Sequence, residues 1–382
     1  MQIYLSTNMS KNNITKNQHY ISKALLELFI DGENLFETLV KNEKIYVTKA
    51  EKAMSEKYIY ENKNLETNTI EKTFSKLEGQ AVHKIREILH KLKGDDTDID
   101  SLKHNIKKVM YFFLIFYYRS NALLTEFAFG KEEHKIPSML NKIFNHPYIK
   151  ILSQKIFDNY TFAILKSNKK FLLSDQYVST ASLNVKGHLI DLSNRHMMLK
   201  ETLILIPLSS EYYIIFWNTE KKIFVKENQI NILSDQQVEK INKVIINNSY
   251  TKALGIDKES IFKAKKVFKY KSPAQIFIGH NGNTSSGYIH KKEVFFFDKD
   301  EEIYEMLNFD FRYREFNNCR GNQKCPCGSG KSFKKCHQKI FKSVKRILNN
   351  IGKKQYLGDN TVDGSIFVEA PIESWGPMGW KV

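Results

Sequence analysis

The sequence predicts an α+β protein in three parts: a mainly helical N-terminal part, an antiparallel β-containing middle, and a small cysteine-rich C-terminal unit followed by a basic helix. Three observations carry that prediction. Ile70, Phe74, Leu77, Ala81, Ile85, Ile88 and Leu92 recur at helical spacing. Two apolar runs, Leu203–Ile206 and Tyr212–Trp217, flank a turn at Pro207-Leu208-Ser209, the pattern of a hairpin. Three of the four cysteines fall within residues 325–337. The resulting division is a main region at 14–298, helical over 14–166 and β-containing over 167–298. A linker at 299–318, a C-terminal module at 319–352 and a tail at 353–382 follow.

Taken in order, residues 14–30 place Ile21, Leu25, Leu28 and Phe29 at helical spacing. Residues 45–60 are polar with short apolar pieces and read as irregular. Asn68 with Glu71 reads as a capping pair for the helix that begins there, and Gly94-Asp95-Asp96 as its end. Asp100 or Ser101 is the expected cap of the next helix, whose centre at 109–118 is apolar on every side and so deeply buried. Residues 138–166 read as a less regular helical stretch. Phe171-Leu172-Leu173, Ile223-Phe224-Val225 and Val294–Phe297 read as strands, and 279–287 as a polar loop. Ser234 with Gln237 predicts a capped helix running to about Asn247. Phe341, Val344, Ile347, Leu348 and Ile351 mark one face of a last helix, with Gly352 at its C-cap.

Composition bounds the function classes. The net charge is +17, but only seven of the 59 basic residues are Arg. The excess is concentrated: residues 316–358 hold 11 basic residues and no acidic one. No cysteine lies outside 319–336, which suits metal-bound thiols in a reducing compartment rather than a disulfide framework. The opening residues lack a basic segment followed by an apolar core. The longest apolar run, 109–118, is about half a membrane span. A cytoplasmic protein with no membrane partner is the expectation.

The segment CPCGSGKSFKKCH offers Cys325, Cys327, Cys336 and His337 as four nitrogen and sulfur ligands, the set that Zn²⁺ prefers. Pro326 stiffens the first bend, and Gly328 and Gly330 allow a sharp turn. A knuckle this small cannot bury enough surface to fold alone. Metal binding, about 10–16 kcal/mol in structural zinc peptides, makes up the deficit. With four protein ligands no position remains for a catalytic water, so the zinc is read as structural. Gly330-Lys331-Ser332 is not a phosphate loop, because Cys325 stands where that motif needs its first glycine. These residues resemble the SEC-C motif, the zinc module at the C-terminus of SecA. That resemblance implies docking on a chaperone partner or the ribosome.

In the main region, Glu71 and Glu78 share a helical stripe beside Phe74. They are either rim charges or ligands for Mg²⁺ or Mn²⁺. Arg119 ends the most apolar helix, where a buried guanidinium needs a carboxylate; Glu71, Glu78 and Asp175 are the candidates. Arg119 is alternatively an anion-binding residue. Asp175, after a strand, is a working carboxylate or a turn former, and His19 a base, a ligand or a structural histidine. His19-Tyr20, Glu71 with Glu78, Arg119, Ser174-Asp175 and Pro207-Leu208-Ser209 resemble the successive motifs of an uncharacterised bacterial family known only as a domain of unknown function. Ser22 stands where that family has proline. The resemblance implies no activity.

The leading expectation is a binding protein whose zinc module docks on nucleic acid, the ribosome or a chaperone, with Lys331, Lys334, Lys335, Lys342, Lys345 and Arg346 on the phosphates. The alternatives are a metal-dependent nuclease or toxin-like effector, as in phage defence, with Glu71, Glu78, Arg119 and Asp175 catalytic, and a protein-binding adaptor.

Overall fold

The computed structural model describes residues 15–350 except 31–33, 43, 62–64, 95–97, 121–131, 186–196, 198–200, 270–273, 282–283, 292 and 309–312. The tail from 351, with the expected Gly352 cap, lies outside the described residues.

The N-terminal part is helical with a β fringe. Strand β1 (Asn17–His19) precedes helix α1 (Lys23–Ile30), so the helix expected from residue 14 starts later. Ser22 is what starts it: its hydroxyl accepts from Leu25 N–H and its carbonyl from Leu26 N–H. Strands β2 (Leu35–Leu39), β3 (Ile45–Thr48) and β4 (Ser55–Lys57) follow, where 45–60 reads as irregular. Three- and four-residue strands carry too little alternation to show in sequence, and β4 exists because it pairs with β1.

Helix α2 (Thr69–Lys93) buries the predicted apolar stripe and packs against α3 (Ile99–Tyr118). Asn68 does not cap it. That residue is left-handed at φ 63°, and its amide oxygen accepts from Thr15 N–H instead. Asp98, not Asp100 or Ser101, caps α3, accepting from the N–H groups of both. The centre of α3 is buried on all sides, as its sequence predicts. Among the described residues no helix is long and apolar enough to cross a membrane.

Helices α4 (Glu132–Ile143) and α5 (His146–Asn159) lead into β5 (Thr161–Lys166). The helical reading of 138–166 therefore ends too late. A short run buried on both faces has no period that separates strand from helix. Strands β6 (Leu173–Ser174), β7 (Ser179–Ser182), β8 (Thr202–Pro207), β9 (Tyr212–Trp217) and β10 (Ile230–Ile232) complete the middle. β8 and β9 form the predicted antiparallel hairpin, with Leu205 opposite Ile215. Their sheet has the order β10-β5-β9-β8-β7. Residues 223–225 are not a strand, and β10 lies parallel to β5 instead.

Helix α6 (Asp235–Asn248) carries the full capping box of Ser234 and Gln237. Strand β11 (Lys252–Gly255) then enters a second sheet, β3-β2-β11-β6, so this sheet joins chain ends far apart in sequence. Helix α7 (Lys258–Lys266) is followed by the hairpin β12 (Ala274–Asn281) and β13 (Thr284–Lys291), where a polar loop is expected. Of 294–297, Phe295 alone makes a bridge, to Ser182.

The stretch read as linker holds α8 (Asp298–Asn308) and α9 (Tyr313–Asn318). Acidic residues of α8 meet main-region lysines: Asp300 pairs with Lys221 at 2.9 Å, Glu301 with Lys243 at 3.0 Å and Glu305 with Lys269 at 2.9 Å. After a short 3-10 turn (Phe333–Lys335), α10 (Gln338–Asn350) packs against α8. Phe316, Cys325, Phe333 and Phe341 form a separate small core, with Met306 against it.

Candidate functional site

Two clusters concern function, one in each half of the chain.

The first is centred on Arg119. Its guanidinium closes α3 at 1% exposure. Its Nη1 pairs with the Glu78 carboxylate from α2. Nε donates to the Tyr20 carbonyl at 3.0 Å, and Nη2 to the His19 carbonyl at 2.5 Å. The planar group lies 4.6 Å from the centre of the Phe74 ring, a cation–π contact. Tyr60 stacks edge-on against Phe74 and donates its hydroxyl to the Arg119 carbonyl at 3.1 Å. Burial by itself would lower the guanidinium pKa; Glu78, Tyr60 and Glu71 outweigh it and hold the group above its usual range.

Glu71 stands about two turns before Glu78 on the same stripe, half-buried, with Oε2 shielded from water and without a hydrogen-bond partner. Burial raises its pKa, against the pull of Arg119 and with the push of Glu78 and Glu61. His19 Nε2 lies 3.2 Å from the Ala50 carbonyl, which accepts its proton and leaves Nδ1 as the lone-pair nitrogen. Burial lowers the His19 pKa, and Arg119 adds to that.

Asp175 is employed elsewhere. Its carboxylate accepts from the backbone N–H groups of Tyr250, Thr251 and Lys252 at 3.1, 2.7 and 2.9 Å, fixing the entry to β11. Tyr20 links the two places. Its carbonyl serves Arg119, while its buried hydroxyl has its pKa raised by burial and then by Asp175 and Glu37. Glu71, Glu78 and Arg119 thus come together, with the His19 and Tyr20 backbone, and Asp175 stands beyond Tyr20. A cleft of about 110 Å³ also borders α2, but none of these four predicted residues lines it.

Sequence reading misses Glu37, Gln18 and Tyr60. Glu37 is a buried acid on β2 that accepts from Tyr46 Oη at 2.5 Å and Met54 N–H at 3.2 Å, and lies 3.5 Å from Lys252 Nζ. A charge inside LFETL was the available signal. Gln18 bridges Glu61 and Tyr60 N–H. Nothing in its sequence marks that role.

The second cluster is the knuckle. Cys325 Sγ and Cys336 Sγ lie 3.3 and 3.1 Å from His337 Nδ1, and Cys327 Sγ lies 3.6 Å from Cys336 Sγ. All four atoms fall within 4.8 Å of one another. The edges of a tetrahedron with zinc's bond lengths to sulfur and nitrogen are about 3.5–3.8 Å, so the donor set fits such an ion. Among the described residues no other set of three or more acidic, Cys or His side chains converges in this way. Mg²⁺ or Mn²⁺ at Glu71 and Glu78 therefore has no geometric support.

Local structure builds the knuckle. Gly328 and Gly330 adopt φ 79° and 73°, which favours glycine. Lys331 O accepts from Cys325 N–H at 2.8 Å, and Phe333 O from Cys336 N–H at 3.1 Å. Ser329 Oγ, 3.1 Å from Cys327 Sγ, pulls that thiol down to about 6; burial pushes Cys325 up to about 11. Cys319 is no part of this set; its Sγ lies 3.6 Å from the Arg320 and Lys324 carbonyls. Phe341 and Val344 of α10 turn inward, so the start of the helix's apolar stripe is used in the chain's own packing. Lys331, Lys334, Lys335, Lys342, Lys345 and Arg346 are all exposed.

A family model described as a protein of unknown function, DUF4238, matches residues 17–259. The chain belongs to the DUF4238 family. The DUF4238 region contains the whole Arg119 cluster and both larger sheets. The model for the SEC-C motif matches residues 322–339, the knuckle itself. Both resemblances drawn from the sequence are borne out. No curated protein and no solved structure matches the chain.

The DUF4238 cluster yields two predictions. Arg119→Leu should destabilise the fold by about 3–5 kcal/mol, because Glu78 is left as an uncompensated charge. Chemical denaturation measures this, and an unchanged midpoint would refute the buried pair. Glu71 has a folded pKa above its unfolded one. Its contribution is therefore present below the unfolded carboxylate value, near 4.3, and is lost as pH rises through the folded value. Glu71→Gln should raise the melting temperature at neutral pH, with the gain shrinking toward pH 4. A gain independent of pH would count against this account.

Proposed function

We propose that the C-terminal module holds a structural zinc ion and docks the chain on a nucleic-acid phosphate backbone, ribosomal RNA included. One observation carries the reading. Several main-region lysines meet an acid, Lys169 with Glu239 at 2.9 Å, Lys263 with Glu259 at 2.7 Å and Lys243 with Glu301 at 3.0 Å, and the module's cations do not. Lys331, Lys334, Lys335, Lys342, Lys345 and Arg346 are exposed and form no ion pair among the described residues; Lys345 meets the neutral Asn317 amide, at 3.1 Å. No acid occurs between 316 and 358 to meet them. Uncompensated, solvated cations on a rigid metal-braced surface are what a polyanion selects.

Zinc would be held by Cys325, Cys327, Cys336 and His337, and would supply folding energy rather than chemistry, since four protein ligands close the site. A metal-dependent nuclease draws less support, because Glu78 is engaged by Arg119 and Asp175 by three N–H groups. A protein partner such as a chaperone remains the reading to adopt if the nucleic-acid test fails.

Elemental analysis of protein purified without chelator should find one zinc per chain. Cys336→Ser should release it while the main region keeps its unfolding transition. A zinc-free parent would refute the site. The docking itself is tested by salt titration. With about four phosphate contacts, log affinity should fall by roughly 0.7–0.9 per contact against log salt. Replacing Lys342, Lys345 and Arg346 by Gln should weaken binding and flatten the slope by about two units, with zinc retained. A triple variant that binds like the parent at every salt concentration would remove the nucleic-acid assignment.

A further inference from the structure

We infer that the module binds the backbone of a double-stranded nucleic acid and reads no base sequence. This rests on the docking reading above and concerns what form of polyanion that surface takes.

Single strands are gripped by exposed aromatic platforms on which bases stack. The module has rings, but they are spent on its core. Phe316, Phe333 and Phe341 are all buried. They pack on one another at centroid distances of 6.0 Å, and Phe316 lies edge-on to the ligand His337 at 5.8 Å. Among the described side chains of residues 315–346 no aromatic ring is exposed. Freeing one for a base would open the small core that the metal site is built on.

What the surface does offer is point charge. Among the described residues of the module, seven of the nine exposed basic side chains are Lys, which contacts phosphate without the planar fork that Arg uses on guanine edges. Lys339, Lys342 and Arg346 stand at i, i+3 and i+7 on α10, a stripe about 10 Å long at the helical rise. Lys334 and Lys335 sit on the 3-10 turn that packs against α10. These elements are tied by helix hydrogen bonds on one side and by the knuckle on the other. A duplex carries about one charge per 1.7 Å of axis in a fixed array. The backbone positions of these cations are set by helix and knuckle, so a partner whose phosphates are also set in place costs less to order than a flexible strand.

The test uses the full, zinc-loaded chain and fluorescence anisotropy over a salt series. The probes are short DNA and RNA duplexes of two unrelated sequences and the corresponding single strands. Expected are equal affinities for the two sequences, tighter binding of duplex than of single strand, and, for about four contacts, a slope near 3.6 on duplex DNA against 2.8 on its single strand. The Lys342, Lys345 and Arg346 to Gln variant should lose the duplex preference. Preference for RNA over DNA duplex, or the reverse, identifies the source of the duplex and supports the inference either way. Tighter single-strand binding, or discrimination between sequences, overturns the duplex inference and leaves the docking reading standing. No binding of any nucleic acid at low salt overturns both.

Discussion

The burial of one guanidinium organises the N-terminal half. A charge at 1% exposure is tolerable only when its donors are matched, and Arg119 matches its own with a carboxylate and two carbonyls. Those partners come from different places: Glu78 from α2, the His19 carbonyl from the end of β1 and the Tyr20 carbonyl from the turn that follows it. The pair therefore does more than offset a desolvation cost. It fastens the first segment of the domain, which has only a three-residue strand of its own, onto the α2–α3 hairpin. Tyr60 closes the ring by binding the Arg119 carbonyl and stacking on Phe74, the residue beneath the guanidinium.

From there the constraint passes on. Tyr20 leads toward Asp175 and Glu37, and Asp175 sets the start of β11, the strand that sits between β2 and β6. Of the motif residues, His19, Tyr20, Glu78 and Arg119 meet in one polar cluster, while Asp175 serves the backbone at the start of β11. Asp175 is bound to three N–H groups, and that arrangement is a structural one. Glu71 Oε2 and the Tyr20 hydroxyl keep shielded oxygens without a hydrogen-bond partner.

The two ends of the molecule treat charge differently. In the main region several lysines pair with acids, and α8 is held there by Asp300, Glu301 and Glu305. Between α9 and Asp359 there is no acid while the lysines continue. The knuckle suits that arrangement: its four candidate ligands and three buried rings give it a core with no salt bridge among the described residues.

Much of this was legible in the chain. The ligand set at 325–337 was complete in sequence, since all its members lie within a few residues and the spacing alone brings them together. The long amphipathic stripe of α2, the capping box of α6 and the β8–β9 hairpin were legible for the same reason: their determinants are local. The short strands β3 and β4, the switch from helix to strand at β5 and the placing of β10 were not. They depend on partners far along the chain, and a buried run of six residues carries no period. Arg119's need for a carboxylate followed from its position in an apolar helix. Which acid would meet it was a tertiary matter, because Glu71, Glu78 and Asp175 were equal in sequence and only the crossing of α2 and α3 selects Glu78. Composition, ligand chemistry and local periodicity belong to the sequence; choice among distant partners belongs to the packing, where burial makes one pairing cheaper than the rest.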